Sequence, residues 1–178
     1  MINVRISLIT LLLPTLFFCS QKPDPTPVWS YEPQGITVHY KADALLNAFN
    51  SEPHTVVLLV FQLTSIDAFN RLVKTEDGLK KLLQGENFDA SVVNMDKIIV
   101  QPGESDSFVL NRAENARWIG IVAGYYELIP GFVNHSFKIP FEIDETGRFW
   151  KKKKHALIQQ LNINLILGTR AIQKAGTL

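Results

Sequence analysis

From Gly35 to Leu167, apolar residues recur mostly at every second position, and that spacing limits what the chain can become. Ile36, Val38 and Tyr40 alternate with Thr37 and His39, the pattern of a strand with one buried and one wet face. Phe137, Ile139, Phe141 and Ile143 alternate strictly. Pro140 among them has no N–H to give a ladder, which confines that strand to an edge or a bulge. Leu161, Ile163, Leu165 and Leu167 share one face of a last strand over about Ala156–Leu167. Thr55–Leu63 is a continuous apolar, β-branched run behind Pro53, as a central strand would be. Val92–Val100 and Phe108–Leu110 flank the turn signal Pro102-Gly103, and Trp118–Leu128 is a further strand with Gly120 and Gly124 at points of close approach. Several short strands with turns between them predict an all-β, two-sheet β-sandwich.

One segment departs from period two. Across Ser65–Leu83, Phe69, Leu72 and Val73, then Leu79, Leu82 and Leu83, recur at helical spacing. Ser65 is placed to cap a first helix, with Asp67 near the positive end of its dipole. Thr75, Glu76 and Asp77 can cap a second. One or two short helices are therefore expected after the second strand, closing at Gly85.

The N-terminus is built differently. Arg5 precedes an apolar run, Ile6–Phe18, and the chain's single cysteine, Cys19, follows at once. This run of thirteen residues falls short of the roughly 20 that span a bilayer, and Pro14 interrupts it. A short basic region and an apolar stretch of this length describe a secretory signal. With cysteine at the cleavage point and Leu16 three residues before it, the segment resembles a bacterial lipoprotein signal. Residues 1–18 are then the signal peptide, and the Cys19 thiol takes the lipid. Phe18 occupies the position where that pattern has a small residue, so the peptidase pocket must accept it. A plain signal cut nearby and an uncleaved anchor are the other readings of these residues. Ser20 after the cysteine, rather than Asp, looks like the sorting signal for the outer membrane. One acyl chain holds only marginally, at about 0.8 kcal/mol per methylene, whereas three hold in effect permanently. Residues 19–34 carry this lipidated end and a Pro-rich tether, with Trp29 and Tyr31 marking entry into a sandwich domain over 35–178.

Removing residues 1–18 from the 178 leaves a single-domain length of 160, with 17 basic against 17 acidic side chains. That neutrality argues against nucleic acid, whose phosphates demand clustered positive charge. With Cys19 acylated, no thiol remains for disulfides, metals or nucleophilic chemistry. His39, His54, His135 and His155 share no metal-ligand spacing, so neither a metal site nor a cofactor is expected. No nucleophile elbow, phosphate loop or paired carboxylates appear, and enzyme activity is not expected. The Lys151–Lys154 run could face an anionic lipid surface or simply sit in a solvated turn.

Taken in order, further residues carry a resemblance. They are Trp29-x-Tyr31, a strand ending Lys41-Ala42-Asp43, Leu45-Leu46-Asn47, a strand ending Phe61-Gln62-Leu63, and Phe69 with Leu72. Gly78-Leu79-x-x-Leu82-Leu83, Asp89–Val92, Val100–Gly103 and Ile121–Tyr125 follow. With the lipidated cysteine, this ordered set resembles the type VI secretion lipoprotein family, TssJ. The resemblance implies a transthyretin-like sandwich with a helical insertion, on the periplasmic face of the outer membrane. It implies a structural role: holding the periplasmic C-terminal domain of the inner-membrane protein TssM, in a membrane complex with TssL. It also implies that the loop between the first two strands, Ala42–His54, contributes to that contact through Leu46, Asn47, Ala48, Phe49 and Asn50. The residues themselves leave two readings of this loop: an exposed apolar patch, or a small turn tucked against the sandwich. Leu45 and Leu46 are expected to pack inward in preference to Phe49. The runner-up function is a generic periplasmic binding lipoprotein for a small ligand or another protein.

Overall fold

Alternating strands are stable only when a second layer covers their apolar face, and the chain supplies that layer itself. In the computed structural model, which describes residues 24–148 and 152–178, the chain starts with β1 (Glu32–Ala42) and β2 (Val56–Leu63). Helices α1 (Asp67–Leu72) and α2 (Glu76–Leu83) follow, then β3 (Val92–Val100), β4 (Ser105–Arg112), β5 (Trp118–Ala123) and β6 (Asn134–Lys138). The last four strands are β7 (Phe141–Thr146), β8 (Lys153–Ile158), β9 (Leu161–Leu167) and β10 (Ile172–Thr177). One sheet runs β10-β9-β1-β4 and the other β3-β2-β5-β6, while β7 and β8 pair only with each other. The expected two-sheet, transthyretin-like sandwich with a helical insertion after the second strand is what forms.

β1 pairs parallel to β9, in the register Ile36–Leu161, Val38–Ile163, Tyr40–Leu165 and Ala42–Leu167. Each of these eight side chains is buried, so the period-two patterns of two distant segments merge into one continuous core face. β2 is buried on both sides, which explains its apolar run from Val56 to Phe61. Phe61 lies on its helix side, 6.3 Å from the Phe69 ring and 5.2 Å from Phe88. Phe69 fits because its β5 neighbour is Gly120, where a Cβ would stand 2.7 Å from the ring. On the opposite side of β2, Gln62 is fully buried. Its Nε2 donates to the Asn111 carbonyl at 2.9 Å, and its Oε1 accepts from the Ala113 amide at 2.7 Å. This one side chain joins the second sheet to the end of β4 in the first.

The helices depart from expectation at one end. Ser65 lies one residue ahead of the cap position, which Ile66 holds with no side-chain bond; the Ser65 hydroxyl donates to the Asp67 carboxylate at 2.8 Å and accepts from the Asp67 amide at 3.3 Å. Thr75 caps α2 as expected, its Oγ1 accepting from the Gly78 amide at 3.1 Å. Gly85 follows α2 with φ of 71°, a left-handed residue suited to ending a helix. The strand expected over Ala156–Leu167 is two strands, because the chain leaves the β7–β8 hairpin at Gln159-Gln160 before joining the first sheet. The strand expected to reach Leu128 stops at Ala123, and β10 was not foreseen.

Ahead of β1 the chain is already docked. The Trp29 carbonyl accepts from the Asn115 amide at 2.7 Å, and its ring meets Phe141 edge-on with centroids 6.3 Å apart. Arg112, 2 % exposed, lies 5.9 Å from the same ring, and burial lowers its pKa.

Candidate functional site

The connection from β1 to β2, residues 43–55, is longer than a hairpin requires, and its backbone is pinned at several points. The Asp43 amide donates to the Leu167 carbonyl at 2.8 Å, and its carboxylate accepts from the Leu45 amide at 2.8 Å. Leu46 is fully buried, as expected, but Leu45 is 49 % exposed, contrary to expectation. Neighbours in a turn point in different directions, and only one of the two leucines finds the core.

Asn47 is the brace of the loop. It is buried, with φ of 50°, a conformation that asparagine tolerates better than most residues. Its Nδ2 donates to the Thr55 carbonyl at 3.0 Å, and its Oδ1 accepts from the Tyr126 amide at 2.8 Å. The carboxamide thus ties the loop to the start of β2 and to the segment after β5. Asn47→Ala strips partners from both backbone groups and puts alanine at positive φ. It is expected to destabilise the protein by about 2 kcal/mol, read by urea unfolding, with faster exchange of the Tyr126 amide.

Beyond Asn47 the chain makes a miniature hairpin. Half-buried Ala48 donates its amide to the Thr169 carbonyl at 2.9 Å. Phe49 and Glu52 exchange two backbone bonds of 3.0 Å each, and Asn50 and Ser51 between them have φ of 51° and 66°. Two central residues at positive φ form the tight turn that matches strand twist. This turn holds the Phe49 ring out, 50 % exposed, where it stacks on Tyr126 at 4.7 Å and 20°. Tyr126 is itself 55 % exposed, with His54 edge-on at 5.0 Å. Asn47, His54, Gln101, Pro102, Tyr125 and Tyr126 line an open cleft beside the stack. Next to it the Tyr125 hydroxyl donates to the Ala171 carbonyl at 2.9 Å, and burial raises the phenol's pKa.

Of the five residues named for this loop, Leu46 and Asn47 are therefore internal and Ala48 is intermediate, while Phe49 and Asn50 face outward. Tyr126 was missed; a pair of tyrosines directly after Gly124 was the available signal. Cys19 lies outside the described residues. Among those that are described, no three of His, Cys, Asp and Glu converge as metal ligands would, and no helix is long and apolar enough to cross a membrane.

Fold and surface together define a small β-sandwich that carries, among the described residues, a solvent-open aromatic loop beside a cleft. Residues 34–164 match the family described as "Type VI secretion lipoprotein, VasD, EvfM, TssJ" (T6SS-SciN). The chain belongs to this family of membrane-anchored lipoproteins. Its fold is similar to that of the T6SS lipoprotein TssJ1 from Pseudomonas aeruginosa, at 19 % identity and a TM-score of 0.61, covering 85 % of this chain and 98 % of that one. It is also similar to Serratia marcescens Lip, a membrane-bound component of the type VI secretion system, at 18 % identity and a TM-score of 0.55, covering 84 % and 97 %. A third similarity is to a chain in the structure of the T6SS protein TssM C-terminal domain from EAEC, at 13 % identity and a TM-score of 0.56, covering 80 % and 96 %. No curated protein matches significantly.

Proposed function

We propose that this chain is a non-catalytic structural lipoprotein of a type VI secretion membrane complex. In this reading it is tied to the periplasmic face of the outer membrane through acylated Cys19 and holds the periplasmic C-terminal domain of TssM. TssL completes the complex. The observation that carries the proposal is the stacked, half-exposed pair Phe49–Tyr126, presented by a loop whose own backbone is braced. Exposed aromatics on a rigid support lose little entropy on binding and are typical centres of interfaces. Geometry adds a second support. The described part of the tether enters β1 at Glu32 and the loop leaves it at Ala42, so tether and loop sit at opposite ends of a strand about 33 Å long. A partner arriving from the inner membrane meets the loop rather than the bilayer. The occurrence of a similar chain in the TssM structure from EAEC agrees with that partner.

Two measurements test the parts separately. Intact mass of the protein from membranes should show a triacylated N-terminus at Cys19, and an unmodified thiol there sinks the anchor. For the partner, Leu46 and Asn47 must stay, since both hold the loop. Phe49→Asp combined with Tyr126→Ala is expected to weaken binding to the TssM periplasmic domain by at least about 30-fold, the scale of a hot-spot loss. Titration calorimetry reads the affinity, with circular dichroism confirming an intact fold; an unchanged affinity removes the loop from the interface.

A further inference from the structure

We propose that the β7–β8 hairpin is a second foot on the membrane, resting on anionic phospholipid through Arg148, Lys152 and Lys153. The proposal rests on the anchoring of Cys19 described above, and it assigns the hairpin a task that sandwich packing does not explain. The hairpin belongs to neither sheet, and every residue of β7 is exposed. A lone two-stranded ribbon is marginal in water; here the tether lines a groove with Lys154–Ile158 of β8, which leaves β7 as the open side. At its root, Phe141 meets Trp29.

The tether shows which way the free end points. Trp29 sits at Phe141, the first residue of β7, while Asp24 reaches Lys154 at 2.6 Å. Lys154 pairs with Glu145 across the ribbon, one step short of the final Thr146–Lys153 pair. Going back along the chain from Trp29 to Asp24 therefore means going from the root of the hairpin towards its tip. Asp24 is five residues from Cys19, a span of at most about 18 Å for extended chain. Acyl chains that enter the bilayer at Cys19 keep the tip within reach of the headgroups.

The charge at that end suits the surface it reaches. Lys152 pairs with Glu145 at 3.1 Å, and Asp24 occupies Lys154. Arg148 and Lys153 make no ion pair among the described residues, so the tip keeps a positive excess on a chain that is otherwise close to neutral. The acidic Glu142 lies next to Phe141 at the root, and Asp144 stands mid-strand opposite His155. Basic groups within a Debye length, about 8 Å, of an anionic leaflet are attracted to it, and those farther away are screened.

The test is hydrogen exchange on the full, membrane-inserted chain, in phosphatidylglycerol vesicles and in neutral phosphatidylcholine vesicles. Amides of Gly147, Arg148 and Lys152 are expected to exchange at least about fivefold more slowly on phosphatidylglycerol, the factor one basic side chain supplies near such a surface. Amides of Asn50 and Ser51, at the other end of β1, should not differ. Lys152→Glu with Lys153→Glu should abolish the difference while leaving exchange in β9 unchanged. Equal exchange in the two lipids, whether slow or fast, overturns the proposal. Intact mass of the same preparation reports the lipid on Cys19, so failure of the anchor is seen separately from failure of the foot.

Discussion

Gln62→Leu is expected to lower the free energy of unfolding by about 4 kcal/mol, a large share of the 5–15 kcal/mol that holds a typical domain together. Leucine fits the volume and suits the apolar strand, so a hydrophobicity argument alone would expect stabilisation. The structure reverses that sign. Gln62 has no exposed surface, and its side chain satisfies the Asn111 carbonyl and the Ala113 amide at once. Leucine leaves both backbone groups stranded between the sheets, at about 1–3 kcal/mol each. Gln62→Glu is a useful companion, because it keeps an acceptor for Ala113 but removes the donor for Asn111 and buries a charge. Urea denaturation at neutral pH measures both variants. A Gln62→Leu protein as stable as the parent would mean that the cross-sheet bonds contribute nothing.

Gly78→Val should be nearly as damaging, at about 3 kcal/mol or more, by a different route. Gly78 lies in the first turn of α2, where a Cβ would stand 2.0 Å from the Leu72 carbonyl oxygen. That neighbour is backbone, so no rotamer change relieves the overlap; α1 and α2 must separate, and strain of this kind typically costs 1–3 kcal/mol or somewhat more. Separation would withdraw Phe69 and Leu82 from the second sheet, where each is almost wholly buried. Gly176→Ala in β10 is the matched control: nothing lies within 4 Å of its added Cβ. It should change stability by no more than about 0.5 kcal/mol. Thermal unfolding of the two variants side by side separates steric overlap from any general cost of losing glycine.

How much of this was visible in the chain depends on whether the signal was local. The inward faces of β1 and β9 could be read directly, because burial of one face imposes period two. The helical insertion was equally plain, down to Thr75 at its second cap. The split between β8 and β9 was written in the sequence but overlooked. Ala156 and Ile158 fall on even positions and Leu161–Leu167 on odd ones, and such a phase change requires an interruption. β10 gave no such signal, since Ile172 and Ala175 do not alternate, and the strand exists because β9 offers it a partner. At the candidate site, the loop was located by resemblance, yet which of its side chains face outward was not legible. Leu45 and Leu46 are equivalent to any scale of hydrophobicity; the Asp43 bonds and the reach of Asn47 to Tyr126 turn one out and the other in. Contacts across 79 residues leave no trace in local spacing.

The position of β1 has a mechanical consequence. It is central in its sheet, bonded to β4 on one side and β9 on the other, and it runs from the tether at Glu32 to the aromatic loop at Ala42. Under the proposed function, tension entering from the tether and leaving through the loop would act along this strand, across the hydrogen bonds that flank it. Bonds loaded in shear share the force and must yield together, whereas a strand peeled from an edge gives way one bond at a time. A protein pulled between its tether and its loop would thus carry the load on the strand least able to slip.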